Sequence, residues 1–525
     1  MALGSIAWFA LAVIVLDPMA WGARMRPNPM HETQNGLRGK SQEDVWGNLR
    51  KRRHALMREA MHPAKAAFMR LAWAKRSAGP AHAPRTNCLP SVSGRRVVSI
   101  ADWHGDLEGL VGHLQSLHLV NSTVKAFDLS TWANMWTGGN TLLIQLGDIV
   151  GRGDFGHAMY RFLWRLQDEV KEGTSQGEVS LLFGNHELFF MQGDFRYVTA
   201  YEACSYDPYD SYESERDYIE CLHNAREFLK RHKEANSGAR PLCSFSNRPQ
   251  CCAPGSMLSE EHRSKADVLR YGCLEAGARR IAQKLVGDWG PDGSFGREAR
   301  ARLAVARQVD GIVFVHAGIV PWLWSGLSAA EGAGTDFVGV LNGEAKIALA
   351  GELDFSPGAG VWSVTSHRGS VIHVPDHPDG PAWTRVCTEK DWIQQIDVWN
   401  ALHGQHGPFS DSPARRVPED RCRLVEEALR RLGARRLAVG HCPMPDPDDL
   451  EECGGQLLRT DAKMSIGYTR SPEASTWNAR ALEVDSGAGQ ERIFAVHPHQ
   501  ATVCRQLDLA EGRWAQVASG GRAAT

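Results

Sequence analysis

Five short apolar segments, each followed at once by polar side chains, constrain the fold of this 525-residue chain more than any other feature. The segments read as buried strands, and helical stretches alternate with them, which indicates an α/β architecture. They are Val97–Ile100, Thr141–Leu146, Val179–Phe183, Gly311–Val315 and Leu437–Val439. Sites of open α/β sheets collect at the carboxyl ends of strands, so the polar residues that follow these segments are expected to lie together.

The residues after the five segments combine carboxylate, amide, imidazole and guanidinium groups. They are Asp102-Trp103-His104-Gly105-Asp106, Gly147-Asp148 with Arg152, Gly184-Asn185-His186-Glu187, His316-Ala317-Gly318 and Gly440-His441-Cys442. Mixed oxygen and nitrogen ligands suit two divalent transition metal ions, Mn, Fe or Zn, rather than Mg or Ca. The predicted ligands of the first metal are Asp102, His104 and a bridging Asp148. Those of the second are Asp148, Asn185, His316 and His441.

Such a pair of metal ions, roughly 3.5–4 Å apart, can generate a hydroxide and hold phosphoryl oxygens during an in-line displacement. His186 is beside the ligand Asn185 and is predicted to protonate the leaving oxygen. Arg152 is predicted to neutralise a phosphate oxygen, because a guanidinium matches phosphate geometry. This scheme needs no covalent intermediate on the enzyme.

The ordered motifs resemble those of the calcineurin-like metallophosphoesterase superfamily. They are Asp-x-His-Gly, Gly-Asp-x-x-Gly-Arg-Gly, Gly-Asn-His-Glu, His-Ala-Gly and Gly-His-Cys, and they span roughly residues 95 to 470. Within the superfamily the chain most resembles the Shewanella-like phosphoprotein phosphatases. The resemblance implies a β-sandwich of two mixed sheets flanked by helices, with a dinuclear site at the strand ends. It also implies the metal and catalytic roles given above.

Three positions depart from the family pattern. Ala101 replaces a glycine, which we interpret as harmless. Gly151 replaces the aspartate that supports the catalytic histidine in related protein phosphatases, which leaves the orientation of His186 open. Diadenosine tetraphosphate hydrolases have a small residue there. The family's second phosphate-binding arginine has no clear match, and Arg368 is the candidate because it falls between His316 and His441.

These features predict hydrolysis of phosphate monoesters, with a phosphorylated protein or a small phosphoester as substrate. Gly151 favours a diadenosine tetraphosphate-type dinucleoside polyphosphate hydrolase as the alternative enzyme. A further alternative is a non-catalytic metal-binding relative, whose cysteine-rich insertion would bind a partner. Nucleic acid is not an expected partner, since no long basic stripe occurs after residue 90.

The expected organisation is a signal peptide at 1–23, a basic leader and linker at 24–94, and the phosphoesterase domain at 95–510. An apolar run ends before Asp17-Pro18 and is too short for a comfortable membrane span. The sequence therefore predicts the secretory pathway, with no stable membrane span after cleavage; an uncleaved anchor is the alternative. Residues 24–90 carry 14 Lys and Arg against four acidic residues, so a bipartite plastid address also stays open.

The domain is predicted to contain a large insertion at about 192–310. Six of the 12 cysteines fall within it: Cys204, Cys221, Cys243, Cys251, Cys252 and Cys273. None forms a C-x-x-C pair, so disulfides are expected rather than a zinc site. Cys442, beside His441, is interpreted as a packing residue and not as a nucleophile, because nothing nearby in the sequence argues for a depressed thiol pKa.

Overall fold

The structure is a computed structural model, which describes the chain in fourteen segments. They are 95–191, 193–206, 215–236, 276–320, 336–349, 363–365, 371–373, 380–387, 418–444, 450–469, 479–485, 492–497, 503–508 and 513–517. The predicted signal peptide at 1–23, the leader and linker at 24–94, and Arg368 lie outside the described residues. The predictions for these parts of the chain therefore stay predictions.

A mixed sheet carries the first three of the predicted strand ends. Its described strands, in spatial order, are β15 (Arg513–Val517), β14 (Val503–Asp508), β13 (Arg492–His497), β12 (Ala481–Asp485), β1 (Arg96–Ile100), β2 (Leu142–Gln145), β3 (Glu178–Leu182) and β4 (Leu303–Ala304). Strands β1, β2 and β3 run parallel, so their carboxyl ends lie at one edge. β15 lies beyond position 510, the predicted end of the domain.

A second mixed sheet carries the other two strand ends. Its described strands, in spatial order, are β10 (Glu451–Glu452), β11 (Leu457–Arg459), β9 (Arg436–Val439), β6 (Ile312–Val315) and β5 (Ala306–Val309). β9 runs parallel to both β6 and β11, which brings three carboxyl ends to one edge. A separate antiparallel pair consists of β7 (Ser363–Thr365) and β8 (Val371–His373).

Helices flank the sheets. Those described are α1 (Leu107–Ser116), α2 (Gly156–Glu172), α3 (Asn185–Met191), α4 (Ala200–Ser205), α5 (Glu215–Asn236), α6 (Ala276–Trp289), α7 (Ser294–Arg302), α8 (Phe337–Leu349), α9 (Pro418–Leu432) and α10 (Ile466–Thr469). In α2, Met159, Leu163, Leu166 and Val170 recur at helical spacing and are buried. Among the described helices, none combines the length and the apolar character that crossing a membrane requires.

The predicted fold class is confirmed, since two mixed sheets flanked by helices form the structure. All five predicted strands are present, and their ends agree with the prediction to within one residue. They are largely buried: every residue of β2 and β6 is buried, as are four of the five residues of β1 and three of the four residues of β9. A strand covered on both faces reads as a continuous apolar run, which is why the sequence indicated these five clearly.

The predicted insertion is mainly helical where it is described. It contains α4, α5, α6 and α7, but its last residues belong to the sheets, because β4 pairs with β3 and β5 pairs with β6. The expected disulfide chemistry is present: Cys204 bonds to Cys221 and ties α4 to α5. The other four cysteines of the predicted cluster lie outside the described residues.

Removing the bond between Cys204 and Cys221 is expected to destabilise this helical region. The bond closes a sequence separation of 17 residues, for which chain entropy predicts about 3 kcal/mol of unfolding free energy. The double variant Cys204→Ala/Cys221→Ala should therefore unfold at a lower temperature than the wild type in scanning calorimetry. Equal midpoints for the two proteins would contradict the assignment of this pair.

Candidate metal centre and catalytic site

The carboxyl ends of strands from both sheets meet at one buried centre. The backbone N–H of His441, which follows β9, donates to both carboxylate oxygens of Asp102, which follows β1, at 3.3 and 3.2 Å. His316, after β6, donates from Nδ1 to the carbonyl of Leu146 at 2.7 Å. Since these bonds connect the two sheets, the predicted ligands are brought together by the fold itself.

The predicted ligands of the second metal lie at spacings that fit a shared cation. Asn185 Oδ1 is 3.1 Å from His316 Nε2 and 3.0 Å from His441 Nδ1. Asp148 Oδ1 is 3.4 Å from His316 Nε2. Ligand atoms bound to one metal at about 2.1 Å are separated by about 3.0–3.4 Å when the angle between them is 90–110°. The four side chains therefore have the spacing that a single metal ion requires.

The position of the proton on the His316 ring also indicates that a metal ion fits between these side chains. Because Nδ1 donates to a carbonyl, Nε2 of the neutral ring carries a lone pair. This lone pair faces Asn185 Oδ1, another acceptor when the amide is oriented with its oxygen toward the ring. Two acceptors at 3.1 Å repel each other unless a cation lies between them. The donor set thus fits a metal ion on chemical grounds.

The predicted ligands of the first metal are also buried and adjacent. His104 Nε2 lies 3.6 Å from Asp148 Oδ2 and 3.9 Å from Asp102 Oδ2. The other ring nitrogen of His104 is 3.2 Å from the Val150 carbonyl, while Nε2 forms no hydrogen bond. His186 Nε2 is 3.9 Å from Asp148 Oδ2. The distance between His104 Nε2 and Asp102 Oδ2 is the same. Asp148 is shared by both sets, as the bridging role requires.

Burial controls the protonation of the centre. It raises the pKa of Asp102, with further contributions from Asp461 and Asp148, and it raises the pKa of Asp148 to about 7. Burial also lowers the pKa of His316 to about 4 and the pKa of His441 well below its usual value. Neutral imidazoles are ready to bind metal, and buried carboxylates need a cation to compensate their charge.

Several of the predicted site residues have backbone conformations that non-glycine residues rarely adopt. The φ angles are +40° at His104, +54° at Asp148, +65° at Arg152 and +63° at His441. Such angles are uncommon outside glycine, and they persist where surrounding structure enforces them. The clustering of these angles at the centre agrees with a functional role for the four residues.

Glu187 was not assigned a role from the sequence, where it appears only as the last residue of the Gly-Asn-His-Glu motif. In the structure its side chain fixes the loop that carries Asp148. Its buried carboxylate accepts hydrogen bonds from the backbone N–H groups of Asp148 at 2.9 Å and Gly184 at 2.8 Å. It also accepts from Ile149 at 2.9 Å. These bonds fix the loop after β2 against the loop after β3, so Glu187 positions Asp148 and does not itself face a metal.

Arg152 is half-buried beside the centre, and its guanidinium contacts two tyrosine rings. Its Cζ lies 4.5 Å from the ring centroid of Tyr197 and 4.3 Å from that of Tyr468. The Tyr197 ring also stacks on the ring of His186, with centroids 4.8 Å apart and planes inclined by 25°. The two predicted catalytic side chains thus share one aromatic neighbour.

Gly151 has a steric role next to His186. Its φ is +76°, and a Cβ atom at this position would lie 2.4 Å from His186 Nδ1. The imidazole therefore occupies the space that any side chain at 151 would need. The backbone N–H of Gly151 is held by the buried carboxylate of Glu202, at 3.1 and 3.2 Å from its two oxygens. At this departure from the family pattern, the His186 ring lies where a side chain would otherwise be.

Asp461 is a buried carboxylate of the centre that the sequence interpretation missed. Its charge raises the pKa of both Asp102 and Asp148, so it lies near the predicted ligands. One of its oxygens accepts from Lys463 N–H at 3.0 Å. It follows β11, which runs parallel to β9. Arg459 and Thr460 separate it from the apolar pair Leu457-Leu458, so the apolar run that indicated the other sites is short and interrupted here.

Arg385 is the second residue that the interpretation missed. Its charge lowers the pKa of Asp148, His316 and His441, so the guanidinium lies close to the second metal set. Its segment, 380–387, is fixed near the centre because the Pro381 carbonyl accepts from Ala317 N–H at 2.9 Å. No sequence pattern indicated this arginine, since it follows none of the five predicted strands.

Cys442, interpreted from the sequence as a packing residue and not as a nucleophile, is a disulfide residue in the structure. It forms a disulfide with Cys387 and so connects the His441 loop to the segment that carries Arg385. A further disulfide joins Cys422 of α9 to Cys453 after β10. Neither bond involves the predicted cysteine cluster. The pairings depend on the folded arrangement of distant segments, which the spacing of cysteines does not reveal.

The chain is similar to a known family and to several known proteins. The model of the calcineurin-like phosphoesterase family matches residues 95–317. Shewanella-like protein phosphatase 2 of Arabidopsis thaliana is 28% identical over 374 residues, which cover 71% of this chain and 72% of that protein. Shewanella-like protein phosphatase 1 of Plasmodium berghei is 36% identical over 107 residues, covering 20% and 26%.

Among solved structures, the chain is similar to the cold-active protein-tyrosine phosphatase of a psychrophilic Shewanella species. It is 15% identical, with a TM-score of 0.41 and 80% of each chain covered. Likeness at this level supports no inference about chemistry. The family-model match covers β1 to β6 and four of the five predicted strand ends. Residues 95–317 are therefore similar to the calcineurin-like phosphoesterase family, and curated relatives that the chain matches are named as Shewanella-like protein phosphatases.

Proposed function

We propose that this chain is a metal-dependent phosphoprotein phosphatase that hydrolyses phosphate monoesters at a dinuclear centre. The observation that carries the proposal is the spacing of the Asp148, Asn185 and His316 ligand atoms beside the half-buried Arg152. A buried ligand set makes the metal ions resident, and a partly exposed arginine at the rim is available to a phosphate group. The names of the relatives support a phosphoprotein substrate.

Two arginines would bind the substrate phosphate in this proposal. Arg152 approaches from the loop after β2, and Arg385 approaches from the segment bound to the His316 loop. Both are partly exposed, and both lower the pKa of Asp148 through their charge. We assign to Arg385 the role of the second phosphate-binding arginine. Arg368, the candidate from sequence, lies outside the described residues.

The reaction is an in-line displacement in which a water oxygen bonds to phosphorus as the bond to the leaving oxygen breaks. Asp102, His104, Asp148, Asn185, His316 and His441 would hold two divalent ions such as Mn, Fe or Zn, which activate water and offset phosphoryl charge. His186 gives its proton to the leaving oxygen and regains one from the attacking water.

The environment of His186 suits a proton donor only when substrate is present. Burial, and then the charges of His104 and Arg152, hold the pKa of His186 well below its usual value. A bound phosphate dianion brings negative charge, which favours the imidazolium form. Substrate binding therefore moves the pKa of His186 upward, toward the range in which it can act as an acid.

The alternative function is hydrolysis of a dinucleoside polyphosphate, and the observation that favours it is the glycine at 151. The steric fit between Gly151 and His186 accounts for this glycine without a nucleotide substrate. A non-catalytic relative is the other alternative. The described ligand set argues against it, because a site that has lost its function is expected to have lost a ligand as well.

The test is a paired assay of the manganese-reconstituted full chain. One arm uses phosphotyrosine and phosphothreonine peptides, and the other uses diadenosine tetraphosphate. We expect release of phosphate from peptides, loss of this activity on chelation, and its return when manganese is added. Turnover of the dinucleotide alone would establish the alternative enzyme. No turnover in either arm, with less than one metal equivalent bound, would support the non-catalytic relative.

A further inference from the structure

The side chain of Arg152 is held by rings as well as by its own loop. Its Cζ lies within 4.5 Å of the Tyr197 centroid and within 4.3 Å of the Tyr468 centroid. A guanidinium over an aromatic face is attracted by the negative charge density of the ring. Two such contacts restrict a long, flexible side chain to a narrow range of positions.

Both tyrosines are anchored to the loops of the centre. The Tyr197 carbonyl accepts the backbone N–H of Arg152 at 2.6 Å. Tyr468 lies on α10, whose first residue, Ile466, donates its N–H to Asp106 Oδ2 at 2.9 Å. Gly467 lets α10 approach closely, since a Cβ there would lie 3.1 Å from the Cβ of Arg152. The rings are therefore fixed relative to the arginine that they contact.

Each tyrosine also contacts a histidine of the centre. The Tyr197 ring stacks on His186 at 4.8 Å between centroids. The Tyr468 ring meets the His104 ring edge-on, also at 4.8 Å and with planes inclined by 71°. Among the described residues, no side-chain carboxylate forms a hydrogen bond with His186 Nδ1. The stacked Tyr197 ring is thus one of the contacts that orient the predicted acid, together with the His104 ring at 4.5 Å between centroids.

We propose that Tyr197 and Tyr468 are positioning residues of the phosphatase reaction, an inference that rests on the proposed function. Both hold the Arg152 guanidinium toward the substrate phosphate, and Tyr197 also orients the His186 imidazole toward the leaving oxygen. The aromatic rings make these contacts, and the hydroxyl groups are not required for them. The two tyrosines therefore differ in one respect: loss of Tyr468 impairs phosphate binding alone, whereas loss of Tyr197 also impairs proton donation.

The experiment compares Tyr→Leu and Tyr→Phe at both positions in the manganese-loaded full chain, with Tyr201→Leu as the control. Tyr201 is 42% exposed and shares the residue type. Affinity for inorganic phosphate is measured by calorimetry, separately from turnover. We expect Tyr468→Leu and Tyr197→Leu each to weaken phosphate binding about 10-fold, as loss of a partly desolvated cation–π contact predicts. The phenylalanine variants and the control should stay near wild type.

Measurements of turnover distinguish the role of Tyr197 from that of Tyr468. In an Arg152→Ala background, Tyr468→Leu should have no further effect, because its action passes through the arginine. In the same background Tyr197→Leu should still lower kcat, and more strongly for phosphoserine peptides than for p-nitrophenyl phosphate. The leaving group of p-nitrophenyl phosphate needs little protonation, so it depends less on His186.

Three results would overturn the inference. One is unchanged phosphate affinity in both leucine variants. Another is a phenylalanine variant as impaired as the leucine variant, since the hydroxyl would then be the active group. The third is a loss of bound manganese large enough to explain all of the lost phosphate affinity. Tyr468 would then act by positioning the candidate metal ligand His104 and not by holding Arg152. Phosphate binding without peptide turnover would reject the proposed function while leaving the test of the rings intact.

Discussion

Replacing Asp148 with asparagine is expected to reduce phosphatase turnover by at least about a thousandfold and to release at least one metal ion. Asp148 contributes one oxygen near His316 and the other near His104, so both metal sets depend on it. Metal ions supply several kcal/mol of transition-state stabilisation, and each 1.36 kcal/mol corresponds to a tenfold change in rate. Steady-state kinetics and metal analysis of the purified variant measure the two effects.

Although Asp148→Asn is expected to reduce turnover, the same substitution should increase the folding stability of the metal-free protein. Burial raises the pKa of Asp148 to about 7 from an ordinary value of 3.8. Between these values the unfolded chain releases the proton and the folded chain keeps it, so folding stability falls as pH rises. Above pH 7 the cost of ionising the buried group is fully present. Metal-free Asp148→Asn should therefore unfold at a higher temperature than metal-free wild type at pH 8, and the difference should disappear near pH 4.

Asp310→Asn is the matched control for this variant. Asp310 also has a positive φ, +50° against +54° at Asp148, but it is exposed. It should keep wild-type turnover, metal content and pH dependence. With manganese the order of stability should reverse, because only the wild type gains the full free energy of metal binding. Full activity of Asp148→Asn would refute the assigned ligand set.

The five strands and their ligands could be predicted because two signals coincide in them. Strands buried on both faces give apolar runs, as in β2 and β6, and a candidate ligand follows each of the five runs within two residues. Strands β13, β14 and β15 gave no such signal. They contain polar residues such as Arg505 and Gln516, and no ligand follows them. Their pairing with β12 is a consequence of tertiary structure.

Other parts of the site could not be predicted because they depend on contacts between distant segments. Arg385 reaches the centre because its segment binds the His316 loop. Tyr197 and Tyr468 become neighbours only around Arg152, and they are 271 positions apart in the sequence. Asp461 also follows a parallel strand, but only the two apolar residues Leu457-Leu458 precede it before Arg459 and Thr460 interrupt the run. Sequence thus located the candidate metal ligands together with His186 and Arg152, but not Arg385 or the two tyrosines beside them.

Gly151→Ala is expected to lower kcat for phosphoserine peptides by about 100-fold or more while leaving the metal ions in place. The added Cβ would lie 2.4 Å from His186 Nδ1, a distance that real structures do not tolerate, so the imidazole must move. A displaced general acid loses a contribution of about 10²–10⁴ to the rate. The variant His186→Asn sets the size of the complete loss under the same conditions.

Gly139→Ala separates this steric effect from backbone strain. Gly139 also has a positive φ, +58°, but a Cβ there meets no atom within 4 Å. Both alanine variants pay the cost of a left-handed backbone, about 1 kcal/mol, and only Gly151→Ala disturbs the histidine. Gly139→Ala should thus lose stability and keep kcat.

Comparing substrates with different leaving groups distinguishes a proton-donating role of His186 from a metal-binding role. If His186 donates a proton, the loss in Gly151→Ala should be large for phosphoserine and much smaller for p-nitrophenyl phosphate, whose leaving group is stable as an anion. If His186 instead binds metal beside His104 and Asp148, both substrates should lose equally and manganese content should fall. Because the two roles predict different substrate and metal profiles, this variant tests whether the glycine at 151 exists to leave room for a proton donor.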